Sequence, residues 1–158
     1  MAERVHTYRV VLEWTGNDGR GTSDYLSYRR DHLISATSKT PIRGSADGAF
    51  HGDPARWNPE ELLVSSISAC HQLWYLHLCA DAGVCVTSYE DHAQGVLTLD
   101  VNGGGYFTEV VLRPSVTVTP ASDSALATQL HRDAHTKCFV SNSLNFEVKI
   151  VPTVVTRI

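Results

Sequence analysis

Four cysteines, Cys70, Cys79, Cys85 and Cys138, and eight histidines are the residues of this chain best suited to chemistry. A thiolate is a strong nucleophile toward peroxide oxygen, so an ionised and reachable cysteine is a candidate redox centre. Cys70 stands in the run WNPEELLVSSISACHQLWYLHLC, from Trp57 to Cys79. Asn58 suits a helix cap, Pro59 the first position, and Glu61 closes a capping box three residues after the cap. Cys70 therefore falls in mid-helix, about 18 Å from the helix N-terminal amides at 1.5 Å per residue, and a low thiol pKa there requires a cation from another segment. The alternative is that Cys70 fills core volume, as buried cysteines commonly do. That alternative applies more strongly to Cys79, which ends the helix, and Cys85, which starts a strand.

The histidines offer a second chemistry. His131, His135 and Cys138 stand at i, i+4 and i+7, one face of a helix, where they can ligate zinc or iron, or where His135 can tune Cys138. Solvated or capping histidines account for the same spacing. His71 adjoins Cys70, and His77 shares a face with Leu73 and Trp74 as a hydrogen-bonded core histidine would.

The elements that must position these residues follow from patterning. Leu62, Leu63, Val64, Ile67, Leu73, Trp74, Leu76 and Leu78 fall on more than one face of the long helix, which reads as buried on most of its circumference. Before it, Val5 to Trp14 alternates as a strand, the turn residues TGNDGRGTSD end it, and Tyr25–Tyr28 and His32–Ala36 read as two short strands. The stretch 39–56 is irregular. After the helix, Ala82 and Gly83 are a stop signal. Val84–His92, Val96–Val101, Tyr106–Leu112 and Val116–Thr119 read as a meander, with a hairpin turn at Asn102–Gly105. A second helix over Asp123–Phe139 has Leu126, Leu130 and Ala134 as its apolar stripe and Cys138 at its end. Ser141–Leu144 is a turn, and Asn145–Val155 is a final strand. Two helices and about seven strands make a single α+β domain over residues 1–158.

Composition narrows the function. With 158 residues, 42% hydrophobic content and a formal net charge of -4, the chain can build one substantial core and lacks the basic surface expected of a nucleic-acid or anionic-membrane partner. The N-terminus MAERVHTYRV has no apolar signal-peptide core, and no run is long enough to span a bilayer, so a cytoplasmic location is expected, where cysteines stay reduced unless they are metal-bound or redox-active. No glycine-rich phosphate loop or dinucleotide fingerprint is present.

NPEELLVSSISAC, with Asn58, Pro59, Glu60, Glu61, Leu62 and Cys70, followed by AHTKCFVSNS, with Ala134, His135, Cys138, Ser141 and Asn142, resembles the OsmC/Ohr family of thiol peroxidases. The resemblance implies an OsmC-like fold. In it, a long buried central helix and a second, cysteine-bearing helix pack against antiparallel sheets in an intertwined homodimer whose active sites lie at the subunit interface. It also implies that Cys70 is the peroxidatic residue and that Cys138 resolves its sulfenic acid as a disulfide. Glu60 matches the family glutamate, which orients an arginine that stabilises the thiolate; ten helical residues, about 15 Å, separate Glu60 from Cys70. The family's arginine positions are occupied here by Asn17 and Ala49. Arg20, Arg29, Arg30 or Arg56 must then substitute, and Arg20 ranks first because its turn lies nearest Asn17. A second departure is His71, beside the cysteine, where an apolar or aromatic residue is usual.

The expected activity is antioxidant: reduction of an organic hydroperoxide to its alcohol, with an external dithiol as reductant and no cofactor. Leu73, Trp74 and Phe139 would favour an organic peroxide over hydrogen peroxide. Two rivals remain at this level: a non-catalytic binder of a small apolar ligand on the same fold, and a metal-binding protein using His131, His135 and Cys138.

Overall fold

The computed structural model describes residues 4–157 and resolves into two compact units, Met1–Leu62 and Leu63–Ile158. In the first, β1 (Val11–Trp14), β2 (His32–Ser35) and β3 (Ile42–Gly44) form an antiparallel sheet in the order β1-β2-β3, with Trp14 opposite His32 and His32 opposite Gly44. The N-terminal strand is shorter than its alternation predicts, because β2 offers partners only to Val11–Trp14. Tyr25–Tyr28 is a turn rather than a strand, tied by the Ser27 Oγ to the carbonyls of Gly21 and Asp24. The irregular stretch 39–56 contains β3 and a single 3-10 turn, Gly48–Phe50, capped by Asp47.

The long helix α1 spans Pro59–Asp81. Its start carries the capping box: the Glu61 amide donates to Asn58 Oδ1 at 2.8 Å, and the Asn58 amide donates to Glu61 Oε2 at 3.2 Å. Its end is set by Gly83, whose φ of 72° lets the Val84 amide turn back to the Cys79 carbonyl at 2.8 Å. The side chains of α1 that are fully buried are Ile67, His71, Tyr75 and Cys79, a single stripe at intervals of four, and Leu73 is 66% exposed. One chain thus covers one face of α1, not most of its circumference.

In the second unit the strands are β4 (Val86–Asp91), β5 (Gln94–Leu99), β6 (Gly105–Leu112), β7 (Pro114–Val118), β8 (Glu147–Ile150) and β9 (Thr153–Thr156). They do not form the meander expected from their spacing. Two mixed sheets result, β4-β7-β9 and β5-β6-β8, in which β4–β7 and β5–β6 are antiparallel and β7–β9 and β6–β8 are parallel. The C-terminal segment is not one strand, because Val151 and Pro152 interrupt it and its two halves join different sheets. Pro152 has no amide to donate, so a ladder breaks naturally there.

Helix α2 (Ser124–Lys137) is capped by Asp123, whose carboxylate accepts from the Ala125 and Leu126 amides at 2.9 and 3.0 Å. Its buried residues are Ala127, Leu130, His131 and Ala134, with Leu126 only partly covered. Two cores result. Tyr75, Cys79, Val84, Val116, Val118, Ala127, Leu130 and Ala134 form one, and Ile67, Val110, Leu112 and Val148 form the other. The stripe of α1 contributes to both, so Cys70, in the middle of that helix, is held on a backbone fixed on either side.

Candidate active site

Cys70 is half-buried in the second unit, in a cavity of about 340 Å³ shared with Leu73, Trp74, His77 and Phe139. The Trp74 and Phe139 rings meet edge to face with centroids 5.4 Å apart, and Lys137 Nζ lies 5.6 Å from the Trp74 ring centroid. This is a largely apolar recess with a thiol in it.

Cys138 comes from a different element. It is the C-cap of α2, where ψ of 107° takes the chain out of the helix, and it is fully buried. Its sulfur accepts from the Ser141 hydroxyl at 3.1 Å and the Ser141 amide at 3.4 Å. Cys70 and Cys138 are both free thiols, not within disulfide distance of each other, and Cys138 opposes ionisation of Cys70. Burial is the larger influence and pushes the Cys70 thiol up, Cys138 adds to it, and backbone hydrogen bonds from Val140 and Phe139 pull the other way. The balance is a raised pKa. Within the second unit Cys70 thus lines the recess with its ionisation disfavoured.

Glu60 and the arginines belong to the first unit. Glu60 Oε2 is buried without a partner, in a cavity of about 450 Å³ also lined by Trp14, Tyr28, Arg30 and His32. Arg30 is held rigidly: its guanidinium donates to the Tyr28 carbonyl at 2.6 Å and the Tyr25 carbonyl at 2.7 Å, and lies 4.3 and 4.5 Å from the centroids of those two rings. Arg20 lies elsewhere, with its side chain 66% exposed and paired to Asp18 at 3.3 Å. Arg29 and Arg56 pair with the buried Asp31 at 3.6 and 3.4 Å. Of these four, Arg30 is the one that lines the cavity of Glu60. Sequence spacing gave no sign of this, since the Tyr–Arg–Tyr stack depends on the turn conformation of Tyr25–Tyr28.

The remaining candidates separate. His131 does not converge with His135 and Cys138; its Nδ1 lies 3.0 Å from His71 Nε2, and its ring stacks on Tyr75 at 3.8 Å. Among the described residues no group of three His, Cys, Asp or Glu side chains is placed to hold a metal ion. The physical reason is that the His131 ring is committed to the core and Cys138 has left the helix axis. Cys79 is buried in the first core, where burial raises its pKa, and Cys85 is exposed. No helix is long and apolar enough to cross a membrane among the described residues.

A family model described as OsmC-like protein matches residues 51–153, which include both helices and β4 to β8 and end at the first residue of β9. Among solved structures, an OsmC-like protein of unknown function from Vibrio cholerae is 29% identical, with a TM-score of 0.82 over 96% of this chain and 100% of that one. An organic hydroperoxide resistance protein from Elizabethkingia anophelis is 19% identical, with a TM-score of 0.66 over 96% and 99% of the two chains. One from Bacillus subtilis is also 19% identical, with a TM-score of 0.61 over 94% and 98%. No curated protein matches. The matched span contains Cys70, Cys138 and Glu60, and with the shared α+β architecture it establishes that this chain belongs to the OsmC-like protein family.

Proposed function

We propose that this protein is a thiol peroxidase that reduces organic hydroperoxides through Cys70 and Cys138. The observation that carries the reading is a half-buried thiol in a largely apolar recess, with the free thiol of Cys138 close enough to oppose its ionisation. The hydroperoxide resistance proteins of similar fold support the same activity class. The Cys70 thiolate attacks the outer oxygen of ROOH, the O–O bond breaks, and the alkoxide takes a proton and leaves as ROH. Cys70 is then a sulfenic acid. The Cys138 sulfur displaces its hydroxyl, which departs as water, and the resulting disulfide is reduced by an external dithiol.

Glu60 and an arginine complete the proposed set. Position in the turn favours Arg20, whereas the cavity shared with Glu60 favours Arg30, and we assign the role to Arg30. A guanidinium near a thiol lowers its pKa by about one to three units, so its loss slows thiol oxidation by about tenfold or more at neutral pH.

The experiment is mass spectrometry after one equivalent of cumene hydroperoxide. An intrachain Cys70–Cys138 disulfide is expected in the wild type, no reaction in Cys70→Ser, and a stalled or overoxidised Cys70 in Cys138→Ser. Two unmodified thiols in the wild type would favour the rival reading, a non-catalytic binder of small apolar ligands. Arg30→Ala should slow the oxidation, with partial rescue by Arg30→Lys, and Arg20→Ala should leave it near normal; the reverse pattern returns the role to Arg20.

A further inference from the structure

A second cavity of the second unit, about 470 Å³, has no cysteine in its lining, which includes His131, Arg132 and His135 of α2 and Val148, Ile150 and Pro152. His131 is 2% exposed, and its Nε2 has no hydrogen-bond partner; neither has the buried Nδ1 of His135. Arg132 is the one permanently charged residue in the lining, and among the described residues no carboxylate lines the cavity. Leaving a buried polar nitrogen unsatisfied is costly, so a cavity with two such atoms is suited to a polar ligand, and to an acceptor where those nitrogens carry the ring protons.

The His71–His131 contact sharpens this. Burial keeps both rings neutral, so between them they carry two N–H protons, one of which occupies the bond between His71 Nε2 and His131 Nδ1. If His71 donates, the other proton must sit on His131 Nε2; if His131 donates, it must sit on His71 Nδ1. An acceptor beside His131 Nε2 selects the first arrangement.

We propose that this cavity binds a small aliphatic carboxylate. The His131 Nε2–H, the His135 Nδ1–H and the Arg132 guanidinium donate to the carboxylate, and the hydrocarbon tail lies on Val148, Ile150 and Pro152. Nothing in this assignment uses the thiols, so it stands or falls independently of the peroxidase reading.

The test is titration of the protein with octanoate, followed through the histidine ring and tryptophan indole ¹H–¹⁵N signals. Saturable shifts at His131 and His135, with His131 Nε2 protonated in the bound form, are expected. Because His131 is in the core, the variant is the exposed Arg132→Glu, which should weaken octanoate by about tenfold or more with the fold intact. Octanol, which has the tail but no charge, should bind at least about tenfold more weakly. Absence of saturable shifts at millimolar octanoate, equal binding of octanol, an unchanged affinity in Arg132→Glu, or shifts confined to Trp74 would each overturn the assignment.

Discussion

His71 and His131 lie sixty residues apart in sequence and meet ring to ring in the interior, stacked with Tyr75. Burial is the main cause of their low basicity, taking His71 to about 4 and His131 to about 3; Asp91 pulls His71 upward, while His135 lowers His71 and His71 lowers His131. An unfolded histidine titrates near 6.5, so between about pH 6.5 and 4 the unfolded chain binds protons that the folded chain refuses. Stability from this pair is fully present above about pH 7 and is lost as pH falls toward the folded values. The urea midpoint should therefore be flat above neutrality from this source and should fall below pH 6.5. His131→Phe, which keeps a ring against Tyr75, should reduce that slope, and an unchanged slope would place its origin in other groups. Sequence spacing grouped His131 with His135 and Cys138 because helical periodicity is local. Its actual partner comes from α1, and no pattern within α2 encodes that.

The two helices illustrate which information is local and which is not. Asp123 satisfies two amides of the first turn of α2, the helix whose end holds Cys138. Asp123→Ala should cost about 1 kcal/mol in urea denaturation while leaving the oxidation rate of folded protein unchanged. A loss above about 3 kcal/mol would mean that Asp123 does more than cap. Such signals are readable in sequence because cap, first turn and stop residue lie within a few positions, and so Asn58, Glu61, Gly83 and Asp123 all have the roles their types suggest. Most strands were legible for the same reason, through alternation and turn residues, but Tyr25–Tyr28 is a turn and β3 lies in the stretch whose sequence reads as irregular. Strand partnership was not: β4 passes over β5 and β6 to pair with β7, and the last segment divides at Pro152 to join two sheets in parallel. Parallel partners arrive by long connections, which leave no hairpin signature between them.

At the scale of the molecule, the first unit poses a stability problem. The fully buried hydrophobic side chains among the described residues all belong to the second unit, from Ile67 onward. The first unit buries instead Ser27, Asp31, Ser45 and Asn58, while Val10, Val11 and Leu12 are 63–69% exposed and Leu26 is 69% exposed. A three-stranded sheet with no apolar core of its own does not hold its shape in water. The second unit in turn leaves Leu73 and Phe139 exposed beside the thiol recess. We therefore propose that a second copy of the chain covers these surfaces in a homodimer. Light scattering at low micromolar concentration should give about twice 17.3 kDa. A charge on the exposed strand, Leu12→Glu, should shift the protein toward a less stable monomer and slow peroxide consumption with it. A wild-type monomer with full thermal stability and full thiol reactivity would refute the dimer, and the first unit would then have to be held by the rest of its own chain.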